Sequence, residues 1–283
     1  MKIMSAWLAE KIKAAGAALG LGAGILDTVI IFYLLARWQI LKRAESLHRF
    51  LPIPHRLTIR CNNQRRIIFV SPDTNFTDVL YEVLLRKDYA IDARFSPEVI
   101  FDVGACYGIS TVFFSCAYPD AKIYAFEPFT PTFEFLQRTT ARLHNVEAFN
   151  KAVYTFTGSI KLYSDGRHGG WNTLLPLHAH GEEVACVSLD DFMKERNIHR
   201  IDVLKIDVEG AELEIFKMFR GLESVSYVVG EFHYLSYRHD DIAAVLGRYF
   251  DVRTIPTDIK NPVFRAVNRK ISEHIGYGAL YYK

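Results

Sequence analysis

The chain has 283 residues, half of them apolar, and its 34 lysines and arginines exceed its 32 aspartates and glutamates by only two. This composition fits one large folded domain with a modest extension and excludes a disordered or fibrous protein. The near-neutral charge provides no basic field of the kind that favours nucleic acid, so we expect no nucleic-acid partner.

The first 50 residues are distinguished by a long apolar run. Residues 14–36 carry Asp27 as their only charge, and about 20 apolar residues suffice to span a bilayer. Residues 1–50 are therefore predicted to form an apolar helix that anchors or attaches the chain to a membrane, ahead of a main domain over residues 51–283. Because a charge in mid-span is costly, a helix that lies on the membrane or packs against the domain is the alternative.

Small residues recur within this apolar run. Gly16, Gly20 and Gly24 stand at four-residue spacing, which lets two membrane helices pack closely. The stripe predicts a possible homodimer.

The cysteines show no metal or redox pattern. Cys61, Cys106, Cys116 and Cys186 form no C-x-x-C pair and no histidine spacing typical of zinc. We interpret them as reduced thiols.

Beyond residue 50 the predicted elements follow in a regular order. Two strands, H-R-L-T-I-R-C and R-R-I-I-F-V, join at a polar turn, and V-L-Y-E-V-L-L follows as a helix. From Pro97 onward short apolar strands alternate with amphipathic helices. This alternation predicts an α/β fold with a mostly parallel sheet and helices on both faces.

A strand, a glycine turn and a helix start follow one another in V-I-F-D-V-G-A-C-Y-G-I-S, residues 99–110. Such a turn commonly holds a nucleotide. Gly104 and Gly108 do not complete the G-x-G-x-x-G fingerprint, which disfavours a dehydrogenase. Asp102 is placed to accept from a ligand amine or to order the loop, and it suits a cationic ligand better than a pyrophosphate.

A second carboxylate, Glu127, ends the next predicted strand and is followed by Pro128. A carboxylate there can accept hydrogen bonds from both hydroxyls of a ribose. Capping of the following helix is the alternative role.

Charged residues also gather in I-D-V-L-K-I-D-V-E-G-A-E, residues 201–212. Lys205, Asp207, Glu209 and Glu212 fall at the carboxyl edge of the sheet, where α/β sheets bind ligands. We expect functional roles for Asp207 and Glu209, whereas Glu212 is interpreted as compensating a helix dipole.

A polar insertion, S-D-G-R-H-G-G-W-N-T-L, occupies residues 164–174. Loops over this edge of a sheet commonly close on a substrate. His168, Trp171 and Asn172 are expected to line such a lid.

Several of these motifs occur together in one known family. They are D-V-G-A-C-Y-G, A-F-E-P, N-K-A-V, V-S-L-D-D-F, L-K-I-D-V-E-G-A-E and G-E-F. Over residues 65–240, with the lead-in T-D-V-L-Y-E-V-L-L-R-K-D-Y, the chain resembles the FkbM family of methyltransferases. It departs from the family at Cys106, where members often carry Asn.

The resemblance implies a class I methyltransferase fold of the Rossmann-like type with S-adenosylmethionine as cofactor. It implies methylation of a hydroxyl on a sugar, polyketide, lipid or lipid-linked small molecule. The residues expected to bind the cofactor are Asp102, Gly104, Ala105, Gly108, Glu127, Pro128, Asn150 and Asp207. A membrane-tethered binder without catalysis and an NAD(P)-dependent oxidoreductase are the alternatives.

Four residues are the predicted catalytic group. Glu231 and His233 share one face of the strand end G-E-F-H-Y, and with Asp207 and Glu209 they are expected to act on the acceptor hydroxyl. A structural role for His233, and a buried ion pair of Glu231 with Lys205, are the alternatives. The carboxylates could also hold a divalent metal, but we assign no metal ligand.

The cofactor also predicts a location. Because S-adenosylmethionine is an intracellular metabolite, we expect a membrane-associated protein whose catalytic domain faces the cytoplasm. Such tethering would raise the local concentration of a lipid or lipid-linked acceptor.

Overall fold

The computed structural model describes residues 16–41, 51–61, 64–73, 75–164, 172–174, 180–233, 239–255 and 261–275.

Strands and helices alternate through most of this chain. The strands are β1 (Arg56–Cys61), β2 (Gln64–Phe69), β3 (Val99–Val103), β4 (Lys122–Phe126), β5 (Val146–Phe149), β6 (Ala152–Tyr154), β7 (Gly158–Ser164), β8 (His180–Ser188), β9 (Ile201–Ile206), β10 (Val225–Glu231), β11 (Phe250–Ile255) and β12 (Val263–Asn268). The helices are α1 (Ile25–Leu41), α2 (Asn75–Leu80), α3 (Ile109–Ala117), α4 (Thr130–Thr140), α5 (Leu189–Glu195), α6 (Glu212–Met218), α7 (His239–Leu246) and α8 (Arg269–Ile275). A π-helical turn, Tyr81–Arg86, continues α2, and a 3₁₀ turn, Arg220–Ser224, precedes β10.

The central sheet has seven strands in the order β11-β12-β10-β9-β3-β4-β5. Strands β5, β4, β3, β9 and β10 pair in parallel, and β12 pairs antiparallel with both β10 and β11. From β3 the chain builds outward through β4 and β5, and it later returns to build β9 and β10 on the other side. The strand order therefore reverses between β3 and β9, which is where doubly wound sheets bind ligands.

Helices cover both faces of this sheet. Along β3, Ile100 belongs to an apolar cluster that includes Val112 of α3, whereas the adjacent Phe101 belongs to a second cluster with Phe192 of α5 and Phe216 of α6. Successive side chains of a strand point to opposite faces, so two separate cores form. The predicted α/β architecture is confirmed.

A smaller sheet of three strands, in the order β6-β8-β7, lies between β5 and β9 in the sequence. Within this region the sequence predicts a polar insertion at residues 164–174. His168 and Trp171 of the expected lid lie outside the described residues. Thr173 is described, and its backbone pairs with Tyr163 at the end of β7.

The sequence predicts one apolar helix over residues 14–36, but the described part, residues 16–36, is not one continuous helix. The chain leaves the helical conformation at Gly22, which bridges to Ile59 of β1. Asp27 Oδ1 then accepts from the backbone N of Thr58 at 2.9 Å. The acidic residue that would be costly in a membrane span thus accepts a hydrogen bond from a backbone N–H of β1. Within the described residues no helix is both long and apolar enough to cross a bilayer.

The glycine stripe is split by the same interruption. Gly16 and Gly20 precede it and Gly24 lies within it. The continuous helix on which the homodimer prediction depended is therefore not present, and the homodimer stays a prediction.

Helix α1 packs on the main domain. Its Ile31, Leu34 and Trp38 share one apolar cluster with Leu57 of β1 and Tyr81 of the π-helical turn. This is the packed-helix alternative. The segments on either side of the predicted boundary at residue 50 thus contribute to a common core.

Two of the four cysteines are paired. Cys61 at the end of β1 and Cys116 in α3 form a disulfide across 55 residues of sequence, whereas Cys106 and Cys186 are free. The prediction of reduced thiols is therefore wrong for the first pair. No spacing motif in the sequence predicts this pair, because the two cysteines come together only when the β1–β2 hairpin packs beside α3.

Candidate active site

The glycine turn after β3 lies against the end of β9. Gly104 and Gly108 have left-handed backbones, with φ of 78° and 83°, and a Cβ on Gly104 would lie 1.8 Å from the carbonyl oxygen of Asp207. The backbone N of Ala105 donates to the carbonyl of Phe126 at 2.9 Å. Glycine is required at position 104 because two backbone segments meet there.

Asp102 is completely buried beneath this turn. Its Oδ2 accepts from Ser110 Oγ at 2.8 Å and Thr111 Oγ1 at 2.6 Å, and its Oδ1 lies 3.4 Å from Lys205 Nζ. These contacts support the loop-ordering role rather than a contact with a ligand amine.

Glu127 holds the turn from the end of β4. Its two carboxylate oxygens accept from the backbone N of Cys106 and of Phe129, each at 2.9 Å. Glu127 thus fixes the residue that precedes α4, but the N-cap position of that helix is Phe129 and not Glu127. Asn150 Nδ2 donates to the carbonyls of Glu127 and Pro128, each at 2.9 Å. Burial raises the pKa of Glu127 to about 7.

Lys205 links the turn to the charged cluster. Its buried Nζ donates to Gly104 O at 2.5 Å and lies 3.5 Å from Asp207 Oδ2. Burial alone would lower the pKa of Lys205, but the carboxylates of Asp207 and Asp102 outweigh it, so the pKa is raised. Lys205 is therefore a buried cation that holds β3 and β9 together.

All four predicted catalytic residues converge on one point. Nε2 of His233 lies 3.4 Å from Glu209 Oε2, 3.6 Å from Asp207 Oδ1 and 3.8 Å from Glu231 Oε2. Glu209, three residues after the end of β9, has a left-handed backbone with φ of 55°. Asp207 and Glu209 are partly exposed, whereas His233 is buried.

The ionisation of this cluster is strongly perturbed. Burial raises the pKa of Glu209 to about 7 and that of Glu231 to about 8. Burial also raises the pKa of Asp207, but Lys205 and His233 outweigh it, and the net shift is downward. Burial lowers the pKa of His233, but the surrounding carboxylates, led by Glu209, hold it well above 6.5.

Tyr89 was not predicted as a site residue, and the role predicted for Glu212 is incomplete. Tyr89 donates from its hydroxyl to Asp207 Oδ2 at 2.9 Å and lies 3.5 Å from Glu231 Oε1. Tyr89 is the last residue of T-D-V-L-Y-E-V-L-L-R-K-D-Y, the lead-in segment of the family resemblance. That resemblance was the sequence feature that could have identified it as a site residue. Glu212 is completely buried, with Oε1 2.8 Å from His233 Nδ1, so it does more than compensate a helix dipole.

The insertion contributes at least one contact to this edge. Thr173 Oγ1 donates to the carbonyl of Glu209 at 2.6 Å, and Asn172 is adjacent to it. The described end of the predicted lid therefore lies beside the cluster.

The sequence of this domain matches that of known methyltransferases. Methyltransferase 1 of Beauveria bassiana is 29% identical over 166 residues, 50% of this chain and 65% of that protein. Hexuronic acid methyltransferase AglP of Haloferax volcanii is 27% identical over 147 residues, 48% of this chain and 56% of that protein. The chain thus spans less than two thirds of either relative.

A third relative is matched over more of its length. The 31-O-demethyl-FK506 methyltransferase FkbM of Streptomyces tacrolimicus is 26% identical over 186 residues, 53% of this chain and 70% of that protein. The family model of the methyltransferase FkbM domain matches residues 102–253, a range that contains the glycine turn, Glu127 and the His233 cluster. With its doubly wound, Rossmann-like sheet of the class I methyltransferase type, the chain belongs to the FkbM methyltransferase family.

Proposed function

We propose that the chain is an S-adenosylmethionine-dependent O-methyltransferase acting on a hydroxyl of a sugar, lipid or lipid-linked small molecule. One observation carries this proposal: Asp207 belongs to both halves of the site. Its backbone carbonyl packs against Gly104 of the turn, and its side chain faces His233. A ligand on the turn and an acceptor at the cluster would thus be neighbours.

The residues of the turn fit the proposed cofactor. Glu127 stands at the strand end with a buried carboxylate suited to accept from ribose hydroxyls. Gly104 and Gly108 let the backbone approach closely without side chains. Ala105 and Pro128 flank these groups, and Asn150 secures the Glu127–Pro128 backbone.

The cluster supplies what the acceptor needs. S-adenosylmethionine held at the turn beside Glu127 and Gly104 would supply an electrophilic methyl group to the acceptor oxygen, with the sulfur as leaving group. The hydroxyl proton passes to a carboxylate of the cluster, formed by Asp207, Glu209 and Glu231. The main work of the protein is to align the acceptor and exclude water.

Two relatives support the acceptor class. One is named for a 31-O-demethyl substrate and another for a hexuronic acid, so an oxygen acceptor and a sugar acceptor both occur among similar proteins. Incubation with methyl-tritiated S-adenosylmethionine and fractionated glycan or lipid extracts tests the proposal. Transfer of label into an alkali-stable methyl ether supports it, and cofactor binding without transfer supports the non-catalytic alternative.

We also propose that α1 rests on a membrane surface. The outward side of this helix is apolar: Ile25 is 88% exposed, Leu26 72% and Val29 56%. A soluble helix normally places polar residues there. The adjoining β1–β2 hairpin exposes Arg60 and Arg65, and such basic groups beside an apolar face suit an anionic lipid surface.

Vesicle sedimentation tests this placement. The full chain should sediment with vesicles containing anionic phosphatidylserine, and Ile25→Asn with Val29→Asn should release it. A matched Met218→Asn change removes another exposed apolar side chain and should leave binding intact. The proposal is contradicted if the protein does not sediment with vesicles and light scattering shows a dimer that the double variant dissociates. The apolar side of α1 would then be the contact surface for a second copy of the chain.

A further inference from the structure

The His233 cluster has the geometry of a cation site. One oxygen each from Asp207 and Glu209 and one ring nitrogen of His233 lie within 4.8 Å of one another. Glu231 Oε2 is the next oxygen, 3.8 Å from Nε2. The donors follow the ends of two neighbouring parallel strands, β9 and β10.

Glu212 orients the imidazole of His233 through Nδ1, the ring nitrogen that faces away from the cluster. Glu212 Oε1 accepts from the backbone N of Val208 at 3.1 Å, and its Oε2 accepts from that of Gly210 at 3.0 Å. His233 Nδ1 lies 2.8 Å from the same Oε1, so Nδ1 carries the hydrogen and donates. Carboxylates that hold the distal nitrogen in this way are characteristic of metal-binding histidines.

This orientation points Nε2 at three carboxylates. A neutral Nε2 presents a lone pair, and a lone pair that faces ionised oxygens of Asp207, Glu209 and Glu231 is repelled by them. Lys205 does not relieve that repulsion, because its Nζ is engaged with Gly104 O, Asp102 and Asp207 Oδ2. A proton held at Nε2, or a metal ion among these donors, would relieve that repulsion.

We propose that Asp207, Glu209 and His233 bind one divalent first-row metal ion, with Glu231 beside it. Carboxylate oxygens with a single imidazole suit Mn²⁺, and Zn²⁺ binds such donors as well. Bonds of about 2.1 Å to a shared ion place adjacent donors about 3 Å apart. The Nε2–oxygen separations of 3.4 Å and 3.6 Å therefore need only small side-chain movements.

A bound ion would also define how the acceptor is activated, and this part of the inference rests on the proposed function. A hydroxyl bound to a divalent ion loses its proton at lower pH than a free one. Two adjacent hydroxyls, as in a sugar acid or a glycerol headgroup, could both reach the ion. The site thus favours acceptors with a vicinal diol.

Titration of Mn²⁺ into the metal-free full chain tests the site without cofactor or acceptor. Electron paramagnetic resonance of free Mn²⁺ should show one site per chain, and Asp207→Asn or His233→Gln should weaken it by about tenfold or more. Glu212→Gln, which removes the charge behind the imidazole and one of the two backbone acceptors of the Val208–Gly210 turn, should weaken it while Asp207 and Glu209 remain. Glu147→Gln is the control: Glu147 lies on the edge strand β5, where its carboxylate pairs with Lys122 and Arg196. This variant should bind Mn²⁺ like the wild type.

Circular dichroism establishes that each variant is folded before its affinity is compared. A folded wild type that leaves Mn²⁺ and Zn²⁺ free at millimolar concentration overturns the inference and assigns a proton to Nε2. S-adenosylmethionine binding, measured on the same preparation by calorimetry, separates the two proposals. Cofactor binding without metal binding overturns only the metal site, and metal binding without cofactor binding overturns only the proposed function.

Discussion

Tyr89 and Asp207 are joined by a hydrogen bond of 2.9 Å, although 118 residues separate them in sequence. The hydroxyl of Tyr89 also approaches Glu231, and Lys205 Nζ lies 5.2 Å from the centre of its ring. The segment between the π-helical turn and β3 thus forms one wall of the site and orients a carboxylate at its centre.

Replacing Tyr89 by Phe should disturb catalysis more than binding. The ring and its packing remain, while the hydrogen bond that orients Asp207 is lost, at a cost of about 1 kcal/mol in stability. We expect a lower kcat with little change in cofactor affinity. Tyr249→Phe, at a partly exposed tyrosine, is the control, and unchanged kcat in Tyr89→Phe would assign Tyr89 to packing alone.

Glu127 should make cofactor binding depend on pH near neutrality. Its pKa in the folded chain is about 7 against an ordinary 4.5. Between these two pH values Glu127 is ionised in the unfolded chain but protonated in the folded chain, so its contribution to the free energy of unfolding falls as the pH rises. Ligand binding has the opposite dependence, because ribose hydroxyls need the ionised acceptor. S-adenosylmethionine affinity should therefore rise about tenfold between pH 6 and pH 8.

Matched variants isolate this effect. Glu127→Gln should bind the cofactor weakly and with a flat pH profile by calorimetry. Glu134→Gln, on the exposed side of α4, should keep the wild-type profile. A wild-type affinity that does not vary across this range would remove Glu127 from the cofactor site.

Most of the central architecture was predictable, because periodicity reports burial directly. The buried run Ile201–Ile206 and the turn at Gly104 identify strand ends, and parallel strands bring their carboxyl ends to one edge. Asp207, Glu209, Glu231 and His233 meet for that reason.

The remaining features depend on contacts that leave no local pattern. Tyr89 reaches the site from a connecting segment, and Glu212 is distinguished from a surface helix residue only by burial against His233. The disulfide depends on how a hairpin packs on α3. The apolar run at the N-terminus was assigned to lipid because its length fits a span, whereas backbone pairing at Gly22 ends the helix.

Gly104 should not tolerate a side chain. A Cβ would lie 1.8 Å from a backbone oxygen, and the residue has φ of 78°, so both the clash and the left-handed conformation oppose Ala. Gly104→Ala should lower the free energy of unfolding by about 2 kcal/mol or more in urea. Gly16→Ala has open space around its Cβ and should be neutral or stabilising, and equal stability of the two variants would contradict the close approach.

The disulfide should stabilise the fold through the loop that it closes. A cross-link between residues 55 apart removes unfolded-state entropy corresponding to about 4 kcal/mol. Reduction of the wild type, or Cys61→Ser, should therefore shift the urea midpoint downward. Reductant should have no further effect on Cys61→Ser, and a wild type insensitive to reductant would show that the bond contributes nothing.

Removing the buried cation at Lys205 should destabilise the protein more than any change of a surface lysine. Its Nζ lies between Asp102 Oδ1 and Asp207 Oδ2, and Asp102 has no access to water. Lys205→Met keeps the length of the side chain but leaves a buried carboxylate uncompensated, which costs about 3–5 kcal/mol. Lys161→Met, on the exposed side of β7, should change stability by less than about 0.5 kcal/mol.

A double variant tests whether the two charges act as a pair. Lys205→Met with Asp102→Asn removes both partners of the ion pair, so it should recover part of the stability that Lys205→Met loses. Additive destabilisation in that double variant, measured by urea unfolding, would show that the two side chains do not act as a pair.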